Sequence, residues 1–267
     1  MARKTSFYYS FLVLPAAQRH AIIAVWDFCR AVDDAVDEQA VEAARESVVF
    51  WREELARCYA GEAPRTPQAA RLQPFIEAFD LPRQAFEDVI DGVAMDLDTH
   101  RYQTFAALCE YCRRVASAVG LICIRIFGCT SDRAREYALH LGVALQLTNI
   151  IRDIRTDLDR GRVYLPLEDL ARFGCTIDDL AAGVVTPPVR HLLTFECTRA
   201  REYYQRAVAV RPEEDRRRLV AAEIMRAVYF RTLERIEQSG YDVFGARTRV
   251  PRPQQALIAV RQWLWPQ

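Results

Sequence analysis

Two aspartate clusters lie far apart in the chain: Asp33, Asp34 and Asp37 in RAVDDAVDE, and Asp153 and Asp157 in LTNIIRDIRTDLDRGRVYLP. Residues four apart share one face of a helix, so each cluster would form a row of carboxylates that repel one another. A rigid row of oxygens suits a hard divalent cation, above all Mg²⁺ carrying a substrate phosphate. Two such rows on facing helices would grip a diphosphate through several ions. Arginines flank both clusters (Arg30; Arg152, Arg160 and Arg162), and the guanidinium fork matches phosphate oxygens. For either cluster alone, a solvated helix face or structural salt bridges to these arginines is the competing reading.

The elements that must position these residues read as helix after helix. Pro15 sits where a first helical residue is tolerated, and AAQRHAIIAVWDFCRAVDDAVDE follows with apolar residues at helical spacing. A second helix covers VEAARESVVFWREELARCYAG, closed by Gly61 and the loop EAPRTP. Shorter helices are expected around AARLQPFIEAF and PRQAFEDVIDGVAMDL. Two long apolar helices follow, TFAALCEYCRRVASAVGLICIRIFG and SDRAREYALHLGVALQLTNIIRDIRTDL, the second with Ser131 and Asp132 as N-cap candidates. The segment DRGRVYLPLEDLARFG breaks the pattern with Gly161 and Pro166. Helices are expected again over PVRHLLTFECTRAREYYQRAVAV, EEDRRRLVAAEIMRAVYFRTLERIEQSG and QQALIAVRQWL. Strand and hairpin signals are nearly absent, no repeat is evident, and no linker divides the chain. The expectation is one all-α domain over residues 1–267.

The helix around residues 138–157 is apolar on nearly its whole circumference, which marks it as buried. Gln146, Asn149, Asp153 and Asp157 nevertheless run along one side at steps of three, four and four. Buried carboxylates without compensation are costly, so this side must line a cavity or meet cations.

Composition sets the outer bounds. The 267 residues carry 36 basic and 36 acidic side chains, a net charge of zero, so nothing draws the chain globally to nucleic acid or anionic lipid. No apolar run approaches the ~20 residues that span a bilayer. The N-terminal MARKTSFYYSFLVLP has a short apolar stretch interrupted by Tyr8, Tyr9 and Ser10, and is read as mature protein. Eight scattered cysteines read as reduced core thiols, the lone CxxC of Cys109 and Cys112 included, and the four histidines lack metal-ligand spacing.

Four segments, TSFYYSFLVLP, DFCRAVDDAVDE, YCRRVASAVGLICIRIFG and LGVALQLTNIIRDIRTDLDRGRVYLPLEDLARFG, together resemble the squalene/phytoene synthase family, essentially end to end. The pattern is most similar to bacterial presqualene diphosphate synthases, with phytoene synthases close behind. The resemblance implies an isoprenoid-synthase-type helical bundle with a central cavity and a Mg²⁺-dependent head-to-head condensation of two farnesyl diphosphates to presqualene diphosphate, in hopanoid or squalene biosynthesis. NADPH is not expected for that half-reaction. By the same resemblance Asp33, Asp37, Asn149, Asp153 and Asp157 would ligate Mg²⁺, and Asp34 would support the first motif. Ser6, Arg30 and Gln146 match diphosphate-binding positions, and Phe7 belongs to the substrate wall. Arg152 and Arg162 match basic residues that neutralise the departing diphosphate. Tyr111 matches a tyrosine facing the reacting carbons, and Tyr229 and Arg247 match residues near the second substrate. Phe11, Val115, Ala116, Val119 and Leu145 are candidates for the apolar tunnel, ordinary core being the alternative for each. Two departures stand out. Trp26 occupies the place of a diphosphate-contacting tyrosine, and Val36 that of a glutamate found in animal enzymes.

Other readings remain: phytoene synthase acting on two geranylgeranyl diphosphates, squalene synthase completed by NADPH, a non-catalytic helical assembly factor, and a head-to-tail prenyltransferase or cyclase. A cytoplasmic protein is expected. Its oily product leads us to expect peripheral contact with the inner membrane face, with the aromatic QWLWPQ terminus as the candidate.

Overall fold

The computed structural model describes residues 8–37 and 39–265, with Tyr8 through its backbone alone. Ser6 and Phe7 therefore lie outside the described residues. Among those described there are thirteen α-helices joined by one π-helical turn, and the single extended pairing is an isolated bridge between Arg101 and Val163. The all-α expectation is met.

Helix α2 (Ala16–Asp37) shows how one helix serves both core and cavity. Its buried residues Ile22, Val25, Phe28, Val32 and Val36 recur every three or four positions. Phe28 anchors them, with its ring edge-on to Trp51 at 5.3 Å and to Phe86 at 5.7 Å. This side packs on α3 (Val41–Ala60), α4 (Pro67–Ala78) and α5 (Arg83–Asp98). The adjacent side carries Trp26, Cys29, Arg30, Asp33 and Asp37 and is left facing a cavity.

The long apolar stretch 104–128 is not one continuous α-helix. It divides into α6 (Phe105–Cys112), a π-helical turn (Arg113–Ser117) and α7 (Ala118–Ile126). The turn lies between two glycines on neighbouring helices. A Cβ on Gly142 would come within 2.4 Å of Ser117 Cα, and one on Gly92 within 2.8 Å of Arg114 Cβ. Backbones meet here at distances only glycine allows. The Ser117 hydroxyl donates to the Leu139 carbonyl at 2.7 Å, tying the turn to the central helix.

That central helix is α8 (Arg133–Asp159), packed against the π turn, α7, α11 (Pro187–Val210) and α12 (Val220–Gln238). Its expected N-cap differs from the sequence reading. Asp132 is already helical in backbone and caps nothing with its side chain. The buried carboxylate of Asp215 accepts from the N–H groups of Thr130 and Ser131 instead, at 2.9 and 2.8 Å. Asp215 precedes α12, which begins at Val220 rather than near residue 213 as the sequence pattern suggests. After α8 the chain turns at Gly161 (φ 76°). Val163 N–H then donates to the His100 carbonyl at 2.8 Å, which fixes Arg162 over the end of α2. The short α9 (Leu167–Arg172) and α10 (Ile177–Ala181) lead into α11, while α1 (Tyr8–Leu12) and α13 (Arg252–Leu264) pack on α12. All eight cysteines are free thiols.

Candidate active site

A cavity of about 1010 Å³ lies between α2, α5, the π turn with α7, α8 and α12. It is large even against the ~300–1,000 Å³ typical of small-molecule sites. Along α8 its wall changes character. Ala138, Leu141, Gly142 and Leu145 line one half, and Gln146, Asn149, Asp153 and Asp157 the other. At ~1.5 Å of rise per residue, polar and apolar parts follow one another along a single helix face. Phe11, Val115, Ala116 and Val119 also line the cavity, with Leu145 on α8.

The two aspartate rows meet at the polar end. Asp37 at the close of α2 is held by residues just past α8: Arg160 at 2.6 Å and Arg162 at 2.8 Å. Asp153 accepts a forked pair from Arg247 at 2.7 and 2.6 Å and a second from Arg152 at 2.9 and 2.5 Å. Burial alone would raise the Asp153 carboxyl, but the hydrogen bonds and charges of Arg152 and Arg247 outweigh it and hold it below the usual range.

Asp33 and Asp157 are in the opposite situation. Burial, then the neighbouring Asp37 charge, push Asp33 up to about 6. Burial, then the charges of Asp153 and Asp96, push Asp157 up to about 7. Asp37 and Asp153 are thus closely matched by arginine and Asp34 is paired with Arg30, whereas Asp33, 3.7 Å from that same Arg30, and Asp157 are the less compensated carboxylates. Asn149 adds a buried side-chain oxygen with no hydrogen-bond partner, while its amide N–H donates to Gln146 at 3.3 Å.

These are oxygen donors of the kind a hard divalent cation takes. Among the described residues no group of three or more His, Cys, Asp or Glu side chains is placed to hold an ion unaided. Mg²⁺ takes one or two carboxylates and completes its octahedron with water and phosphate oxygens, and Asp33, Asp157 and the Asn149 oxygen are donors of that kind on the cavity wall. The residues present fit that ion.

The sequence reading missed Asp96 on α5. It is buried and lines the cavity, and it accepts from the Tyr111 hydroxyl at 3.0 Å and the Tyr164 hydroxyl at 2.8 Å. Burial raises its carboxyl, against the opposing pull of Arg162 and the two phenols. Burial holds Tyr111 well above the usual phenol range, so it remains a neutral donor. Tyr102, Tyr111 and Tyr164 cluster around Asp96, with the Tyr111 and Tyr164 rings stacked at 5.2 Å.

The other candidates fall as follows. Arg30 lines the cavity and pairs with Asp34 at 2.8 Å. Asp34 does not line the cavity, so its contribution is to hold Arg30. Tyr229 lines the wall on α12 and is hydrogen-bonded to Arg152. Trp26 also faces the cavity.

Known proteins similar to this chain share one family and one fold. The squalene/phytoene synthase family matches residues 1–254. A 15-cis-phytoene synthase of Synechocystis sp. is 39% identical over 97% of this chain and 80% of its own length. A presqualene diphosphate synthase of Rhodopseudomonas palustris is 39% identical over 98% and 94%. In structure, a ligand-bound dehydrosqualene synthase superposes with a TM-score of 0.86 at 26% identity, covering 98% of this chain and 92% of its own. A squalene synthase from Alicyclobacillus acidocaldarius gives 0.80 at 35% identity, covering 88% and 89%. The fold is the all-α one of these synthases, and the class is prenyltransferase. The chain belongs to the squalene/phytoene synthase family.

Proposed function

We propose that the protein joins two farnesyl diphosphates head to head into presqualene diphosphate, with both substrates lying in the one cavity. The observation that carries this reading is the cavity's division. Carboxylates short of positive charge and an unpartnered amide oxygen lie at one end, and an apolar wall continues from them along α8. A prenyl diphosphate is divided in the same way, and the squalene-type names of the structural relatives support the farnesyl chain.

Asp33, Asp37, Asn149, Asp153 and Asp157 would hold Mg²⁺. When bound, the ion would bear the charge that grows on the departing diphosphate. Arg30, Arg152, Arg160 and Arg162 share that charge. To meet the diphosphate, Arg160 and Arg162 would exchange their present pairing with Asp37, and Arg152 and Arg247 theirs with Asp153. Departure of diphosphate leaves an allylic cation, which Val115, Val119 and Leu145 shield from water. The 2,3 double bond of the second substrate attacks this cation and forms the new carbon–carbon bond. Loss of a proton then closes the cyclopropane, so two substrates yield presqualene diphosphate, diphosphate and a proton. Tyr111 takes up that proton at its oxygen while passing its own to Asp96, and the support for this role is the 3.0 Å hydrogen bond between them.

Relatives of equal identity are named phytoene synthase, and this favours geranylgeranyl diphosphate as the second reading. The purified protein with Mg²⁺ and each diphosphate in turn separates the two. Presqualene diphosphate from farnesyl diphosphate, in equal amount with or without NADPH, is expected. Phytoene as the preferred product would replace the first reading by the second, and a folded protein converting neither substrate would overturn both.

A further inference from the structure

Helix α13 is inside out. Its buried positions are Gln255, Ala259 and Gln262, two of the three polar. Gln255 donates to the Val250 carbonyl at 2.8 Å, and the buried Gln262 side-chain oxygen has no hydrogen-bond partner. The opposite side is apolar: Leu257 is 68% exposed, Val260 52%, Trp263 59% and Leu264 50%, with Trp265 just beyond at 67%. At ~100° per residue these fall on one broad stripe. A helix of a water-soluble surface is built the other way round. The charge pattern is as one-sided. Arg247 is matched by Asp153, but from Arg249 onward the chain carries Arg249, Arg252 and Arg261 and no Asp or Glu, although the chain as a whole is neutral.

We propose that the outer face of α13 docks in the plane of an anionic phospholipid bilayer, with Leu257, Val260, Trp263 and Leu264 entering the boundary between headgroups and acyl chains. Such a face, apolar at its centre, with tryptophan at headgroup depth and arginine among anionic headgroups, is that of an interfacial helix. No helix among the described residues is long and apolar enough to cross a membrane, so the helix lies on the surface. A second copy of the chain suits this face poorly. A two-fold contact sets the same patch against itself, which would bring arginine to arginine with no acid on α13 to pair them. The inward side of the first turn of α13, with the residues just before it, reaches the cavity, where Val250, Pro251, Arg252 and Gln255 form part of the lining. The proposal stands on α13 itself and does not require the reaction assigned above.

The test is flotation of the full-length protein with phosphatidylcholine vesicles, with and without phosphatidylglycerol, at low and high salt. We expect binding that rises with phosphatidylglycerol and weakens with salt, and a shift of tryptophan emission to shorter wavelength, since two of the four tryptophans are Trp263 and Trp265. Leu257→Ser with Trp263→Ser should lower the partition coefficient by about tenfold or more, and Arg261→Gln by a few-fold. Both variants should keep the parent's circular dichroism spectrum and its turnover of detergent-dispersed substrate. Parent protein that fails to float with either vesicle would overturn the proposal. So would binding unchanged by the double substitution, or a dimer in sedimentation that the double substitution dissolves while vesicle binding persists.

Discussion

At Asp157 burial and the neighbouring Asp153 act in the same direction and raise the carboxyl from its ordinary 3.8 to about 7. Its proton is therefore bound more tightly in the folded chain than in the unfolded one. This contribution to stability is fully present below about pH 4 and is lost as pH rises through about 7. Metal-free protein should weaken over that window. Asp157→Asn should remove part of the loss, leaving the variant on the order of 2 kcal/mol more stable than the parent near pH 8 and hardly different near pH 4, since solvent reaching the cavity screens the effect. The same variant should lose turnover by about 100-fold or more. Melting curves against pH for both proteins check the first point, and parallel curves would remove the electrostatic account of the polar end. Asp96 belongs to this scale too. Nothing in VAMDLD singles it out, because its partners Tyr111 and Tyr164 stand 15 and 68 residues away in the chain.

Among the elements, the π turn between α6 and α7 positions the wall opposite α8. It lies so close to α8 that Gly142→Ala would set a methyl group 2.4 Å from Ser117 Cα and 2.6 Å from its nitrogen. Backbone cannot yield there as a long side chain would. We expect a loss of about 2–4 kcal/mol, seen as an earlier denaturation midpoint at unchanged slope. Gly120→Ala faces only Ala138, at 3.1 Å from its oxygen and 3.3 Å from its Cβ, and should cost less. Equal effects of the two substitutions would show that the turn is not held by this contact. The periodicity of 104–128 is helical throughout and announces no π turn, since the turn is decided by how closely two other helices approach it.

Across the whole molecule, arginine pairs tie distant segments together at the polar end of the cavity. Arg160 and Arg162 tie the end of α8 to α2, and Arg247 ties the segment before α13 to α8. Cation and diphosphate must enter together for these pairs to exchange partners without leaving a charge uncompensated. Mg²⁺ with inorganic diphosphate should therefore raise the melting temperature by more than the sum of the two given separately. A joint ligand at about 100 times its Kd contributes about 2.7 kcal/mol. Additive or smaller shifts in a thermal denaturation series would show that the two bind independently.

From the sequence came the succession of helices, the two aspartate rows and the polar stripe on α8, because helical periodicity and carboxylate spacing are local properties that a few turns of chain express unaided. The tunnel candidates Phe11, Val115, Ala116, Val119 and Leu145 were legible as apolar positions, but an apolar residue looks the same in a core and in a cavity wall. The side-chain cap expected from Asp132 is not formed, and the segment ahead of α8 is held instead by Asp215 from across the fold. Only the tertiary structure decided which aspartates meet arginine and which remain short of charge, that Asp96 gathers two tyrosines, and that α13 turns its glutamines inward. Each depends on which surfaces of distant segments are brought into contact, and burial acts on a charge or an amide only once that contact exists.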